Sequence, residues 1–237
     1  MFKLIFNLYL MSTITKQNFD FLKTLQKNNN REWFTENKPT YESCHHEMID
    51  FAEAILGELK KHDDIETVSG KKSLMRIYRD IRFSKDKTPY KTNWGGGFKR
   101  ATKLLRGGYY FHVEPGNCFV GGGFWGPNAD DLLRIRKDIA ANPDELRKII
   151  NSKAFKDNFG ELKGDQLKTA PKGFDKEHEA IDLLRHKQFL ISKSFTDKEA
   201  LQPDFYKKVA KTFVQMRPFF DYMSYVLTTD DNGESLY

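Results

Sequence analysis

A chain of 237 residues, 39% apolar and 30% charged, is long enough to bury a core behind a heavily charged surface, and its 20 Phe, 10 Tyr and 3 Trp exclude a disordered polymer. The net charge of +6 is unevenly placed: residues 60–106 carry fourteen Lys/Arg against five Asp/Glu, a local +9 that leaves −3 for the remainder. Two cysteines, Cys44 and Cys118, form no CxxC, which argues against a disulfide framework or a structural zinc site and makes a reducing cytoplasm the expected location.

The opening "MFKLIFNLYLM" has one basic residue and a short apolar run, too short to span a bilayer and followed by no small-residue cleavage site. A start at Met11 is expected, with residues 1–10 lying outside a single domain of residues 11–229, and with 230–237 as a polar tail. No membrane partner is expected, and nothing in the sequence sets an oligomeric state.

Residues 14–26 carry Phe19, Leu22 and Leu25 at helical spacing, and Asn28, Asn29 and Asn30 stop that helix. "REWFTENK" predicts a short second helix. Pro39 suits the first turn of a long third one, in which Tyr41, His45, Met48, Ala52, Ile55 and Leu59 make one buried stripe. Residues 74–83 change period. Met75, Ile77, Arg79, Ile81 and Phe83 alternate with Arg76, Tyr78, Asp80 and Arg82, which fits a half-buried strand; a helix through Leu74, Ile77, Tyr78 and Ile81 is the competing reading. "SKDKTP" breaks the regular structure, and the glycines at 95–97 read as a loop.

Residues 109–113 and 117–124 are strand-like, and "EPGN" between them predicts an antiparallel hairpin. "GPNADDLLRIRKDI" opens a helix capped by Asn128, and Pro143 begins another. Residues 186–195 read as a further strand. Phe205, Val209, Phe213, Met216, Phe220, Met223 and Leu227 form a helical stripe that Pro218 should kink or split. Helices, then antiparallel strands, then helices predict an α+β fold: a mainly antiparallel sheet packed against N- and C-terminal helices.

"GGGFWG" contains G-x-G-x-x-G, but it follows the second arm of a hairpin rather than the first strand of a βαβ unit. Pro127 also removes an N–H where a phosphate would need one. Close packing at a turn is the better use of those glycines. No nucleophile elbow and no metal-binding motif occurs, and no cofactor is expected. His112 and Glu114, two apart on a strand, share a face with Tyr110 and are the acid–base candidates.

The strongest local signal is "RIYRDIRFSKDKTPYKTN". On a strand, Arg76, Asp80 and Arg82 would share one face as an Arg/Asp fork, and Arg79 would point inward and require a partner. Lys87, Tyr90 and Lys91 would close over the same anion. The run Arg76, Arg79, Asp80, Arg82, Phe83, Asp86, Lys87 and Tyr90 resembles the signature of the domain-of-unknown-function family numbered 2461. "NNNREWFTENKPTY" and "YYFHVEPGNCFVGGGFW" are similar to its flanking blocks. The resemblance covers about residues 14–227. It implies a compact single-domain protein of this size and brings no activity, substrate or cofactor with it.

These readings combine into a pocket for a small anionic ligand bearing phosphate or carboxylate. Arg76, Arg79, Asp80, Arg82, Lys87, Tyr90 and Lys91 would form its wall. Two alternatives stand beside it: a nucleic-acid-binding module using the basic 60–106 region, and a scaffold in which the Arg/Asp cluster is only an ion-pair network.

Overall fold

A computed structural model describes residues 13–230 and 232–237; the expectations for residues 1–10 and for a start at Met11 lie outside them. The chain divides into two compact units. The first comprises 13–98, 110–120 and 194–211, and the second 99–109, 121–193 and 212–237. Four antiparallel strands form one sheet in sequence order: β1 (Trp94–Lys99), β2 (Gly108–Val113), β3 (Cys118–Phe124) and β4 (Phe189–Phe195). No helix among the described residues is long and apolar enough to cross a membrane.

In the first unit, α1 (Lys16–Lys27) buries Phe19, Phe21, Leu22 and Leu25. Asn28 ends it, and Asn30 caps α2 (Arg31–Glu36) by accepting the Trp33 N–H at 2.9 Å. Pro39 lies in the first turn of α3 (Lys38–Leu59), where a missing N–H costs nothing. The buried face of α3 carries Cys44, Met48, Phe51, Ala52, Ile55 and Leu59, while Tyr41 and His45 are half-buried. Burial, reinforced by Glu47, pushes the Cys44 thiol up to about 12, which leaves it unreactive. Short helices α4 (Gly70–Ser73) and, later, α9 (Asp197–Ala200) complete the helical set wholly within this unit.

Residues 74–91 do not form the expected strand. They make isolated antiparallel bridges, Leu74 with Gly96 and Tyr78 with Tyr90, and three backbone bonds of 2.8–2.9 Å hold 75–79 against 89–95. Of the odd positions only Ile77 is buried; Met75 is 49% and Phe83 96% exposed. Alternation signals a strand only where a neighbour supplies a ladder and a face to bury, and the chain folds back at 80–88 before a ladder can form. A second correction concerns the glycines at 95–97, which belong to β1 and not to a loop. The missing side chains of Gly95 and Gly96 leave room for the rings of Tyr110 and Phe111 on the neighbouring strand.

The second unit holds α5 (Ala129–Ala141), α6 (Asp144–Asn151), α7 (Lys153–Phe159) and α8 (Ile181–Leu184). Asn128 caps α5 as expected, accepting the Asp131 N–H at 2.8 Å. Gly121, Gly122 and Gly123 of "GGGFWG" serve strand packing within β3: Gly123 has φ +125°, and a Cβ there would lie 2.1 Å from the Phe189 carbonyl oxygen. Helix α10 (Phe205–Thr228) runs unbroken through Pro218, so the expected split does not occur. An interior proline costs about 3 kcal/mol. Phe213, Met216, Phe219, Phe220 and Met223 are fully buried around it, each contributing roughly 1.5–3 kcal/mol, so packing outweighs the lost bond. Part of the basic excess is structural here: buried Arg100 donates to Asp221 at 2.5 Å and to the Arg106 carbonyl at 3.1 Å.

Candidate functional site

The 74–91 loop is held by its own charges. Arg79 Nη1 donates to Asp86 Oδ2 at 2.5 Å, to the Thr88 carbonyl at 3.2 Å and to the Thr88 hydroxyl. The Thr88 backbone N–H and then the Arg79 guanidinium hold the Asp86 carboxyl down at about 2. Arg82 grips Asp80 with two bonds, Nε to Oδ1 at 3.0 Å and Nη2 to Oδ2 at 2.6 Å, and lowers its pKa. Lys87 Nζ donates to the Ile81 carbonyl at 2.9 Å. Each exposed pair is weak alone, but several within one short loop fix its shape.

Beside this loop lies a cleft of about 380 Å³, wholly within the first unit, lined by Gln26 and Asn29 and by Arg79, Asp86, Thr88, Tyr90, Lys91, Thr92 and Asn93. Asn29 builds one wall by pairing with the Tyr90 backbone, donating Nδ2–H to its carbonyl at 2.9 Å and accepting its N–H at 3.1 Å. The side chain thus substitutes for a neighbouring strand. The Tyr90 ring turns into the core and stacks on Phe34, centroids 3.9 Å apart. Lys91 is half-buried and, among the described residues, has no carboxylate partner. Burial, and then the nearby Arg76 charge, lower its pKa.

Thr92 and Asn93 join the cleft to the face of β2. The Thr92 hydroxyl donates to Glu114 Oε1 at 3.1 Å, and Asn93 Nδ2 donates to His112 Nδ1 at 3.3 Å. His112 Nε2 lies 3.1 Å from Glu114 Oε2, Tyr110 Oη lies 3.0 Å from His112 Nδ1, and Asn117 Nδ2 donates to Glu114 at 3.0 Å. A carboxylate only accepts, so the proton sits on Nε2 and Nδ1 is the acceptor. The Phe119 ring stacks on the imidazole at 4.7 Å and fixes its plane. Burial would raise the Glu114 carboxyl, but hydrogen bonds from Asn117, His112 and Thr92 outweigh it and the pKa is lowered. Burial, then the Glu114 charge, raises Tyr110 and keeps its hydroxyl a donor.

Of the residues singled out from sequence, Arg79, Tyr90 and Lys91 meet at the cleft, and His112 and Glu114 connect to it through Asn93 and Thr92. Arg76 is exposed and acts on Lys91 and Asp80 through its charge. Asp80, Arg82 and Lys87 serve the loop and do not line the cleft. Arg79 does not enter the core; it lies across the loop, 26% exposed, because no sheet carries it inward. Sequence reasoning missed Asn29, Thr92, Asn93 and Gly95. Asn29 was visible only as a helix stop. Gly95 read as a loop, yet a Cβ there would sit 2.8 Å from Tyr110 Oη. Among the described residues no group of three or more His, Cys, Asp or Glu could hold a metal ion.

A four-stranded antiparallel sheet with helices at both ends of the chain, carrying a cationic cleft and a His–Glu pair, defines an α+β protein with one candidate polar site in its first unit. The chain belongs to the family described as conserved hypothetical protein (DUF2461), whose profile matches residues 17–222. No curated protein and no solved structure matches it.

Proposed function

We propose that the protein binds a small anionic ligand, bearing phosphate or carboxylate, in the cleft between Asn29 and Lys91. Lys91 carries this reading: a half-buried ammonium with no carboxylate partner among the described residues, in a cleft whose one carboxylate, Asp86, is already engaged by Arg79, is a deficit that a bound anion offsets. Arg79 supports it, because Asp86 and Thr88 engage only Nη1 and leave the other guanidinium edge to a ligand. Asn29, Thr92 and Asn93 add neutral donors. His112 is the group to carry a proton, with Glu114 fixing its tautomer. The two free, buried thiols accord with a cytoplasmic location.

The test is thermal denaturation of wild type and Lys91→Met against inorganic phosphate, phosphorylated metabolites and dicarboxylates. At least one anion should raise the wild-type melting temperature at constant ionic strength. Lys91→Met should abolish that rise while melting, without ligand, at or above the wild-type temperature, since it removes a desolvated charge and keeps the apolar stem. A wild-type protein that no anion stabilises, or a variant that keeps the full shift, would sink the proposal.

A further inference from the structure

The cleft uses one side of the 74–91 loop's chemistry and leaves its tip unexplained. Phe83 is 96% exposed, and Tyr78 and Met75 are about half exposed on the same loop. Rings of this size normally find cover. The surroundings are cationic: residues 76–91 hold six Lys/Arg and two Asp, and both carboxylates are already neutralised, Asp86 by Arg79 and Asp80 by Arg82. The Arg82 guanidinium lies over one face of the Phe83 ring at 5.9 Å, which leaves the opposite face open. The pairs that fix the loop also hold this arrangement before any partner arrives, so little ordering entropy remains to be lost on docking.

We propose that this loop docks single-stranded nucleic acid, stacking a base on Phe83 and contacting phosphates with Arg76, Arg82, Lys85 and Lys87. The exposed rings of Tyr78 and Phe83 stand among Arg76, Arg82, Lys85 and Lys87 on one loop, the combination of stacking faces and cations that single strands are bound by. A duplex keeps its base faces stacked inside and offers Phe83 nothing, so single strands are preferred. A lipid surface fits less well. Phe83 alone is fully exposed at the tip, which gives little apolar area to bury at the acyl boundary.

Fluorescence anisotropy with a labelled oligonucleotide of about 20 nucleotides, single-stranded and as duplex, at about 50 and 200 mM salt, tests this on the full chain. The single strand should bind more tightly than the duplex and lose affinity steeply with salt. Phe83→Ala should weaken single-strand binding about 5- to 100-fold while leaving duplex binding and the melting temperature unchanged. The double variant Arg82→Ala/Lys85→Ala should weaken both and flatten the salt dependence by roughly one to two phosphate contacts. Three results would overturn the proposal: no oligonucleotide binding at low salt, equal single-strand affinity for wild type and Phe83→Ala, or binding only to vesicles containing phosphatidylserine.

Discussion

At His112 the two ring nitrogens have different jobs, and the neighbours decide which. Glu114 accepts the hydrogen bond from Nε2–H, and Asn93 and Tyr110 point donors at Nδ1, so the lone pair faces the side that leads to the cleft. The arrangement depends on Glu114 being ionised. Its folded pKa is below the unfolded value, so its stabilisation is complete above the unfolded carboxyl value near 4.3 and is lost as pH falls through the lower folded value. Glu114→Gln should therefore cost about 1–2 kcal/mol at neutral pH. In urea denaturation, its gap to wild type should stay constant above about pH 5.5 and shrink below about pH 4. A gap independent of pH would mean that the carboxylate charge does not support the site. Nitrogen chemical shifts of the imidazole should report the Nε2–H tautomer in wild type and a mixture in the variant.

At the scale of elements, the site depends on β1 running close to β2. Gly95 is the point of approach: a methyl group there meets Tyr110 Oη at 2.8 Å and two ring carbons at 3.4 Å. Gly95→Ala should destabilise by about 1–3 kcal/mol, the usual cost of overpacking, and pull the Tyr110 hydroxyl off His112. Tyr110→Phe removes the atom that clashes, so the double variant should recover part of the loss. Purely additive costs in the double-mutant cycle would show that the hydroxyl is not the obstacle. The same strand shows what sequence can and cannot reveal. The hairpin of β2 and β3, the Asn cap of α5 and the stripe of α10 were legible, because each rests on side chains that state their own preference. β1 was not, because three glycines state none and its pairing is dictated by rings fifteen residues onward. The loop at 74–91 failed oppositely. Its side chains alternate as a strand's would, yet sparse bridges and internal ion pairs leave most of them in solvent. The basic cluster was found; its division into cleft, brace and exposed tip needed coordinates.

For the whole molecule, the decisive fact is how the chain is shared. Each compact unit is assembled from three separate segments, and all four strands and α10 each contribute residues to both. Neither unit corresponds to a contiguous fragment. Neither can unfold without taking part of four strands and a 24-residue helix with it. Breaking a strand partway along exposes ladder groups and buried rings without releasing the full entropy of the chain, so partial unfolding is costly. Urea denaturation should accordingly give one transition. With the exposed Trp125 of the second unit replaced by Phe, tryptophan fluorescence reports Trp33 and Trp94 in the first unit, whereas far-UV circular dichroism reports helices of both, and the two midpoints should coincide. If fluorescence changed well before dichroism, the first unit would be an independently melting body. The cleft, whose residues all lie in that unit, would then be lost before the fold.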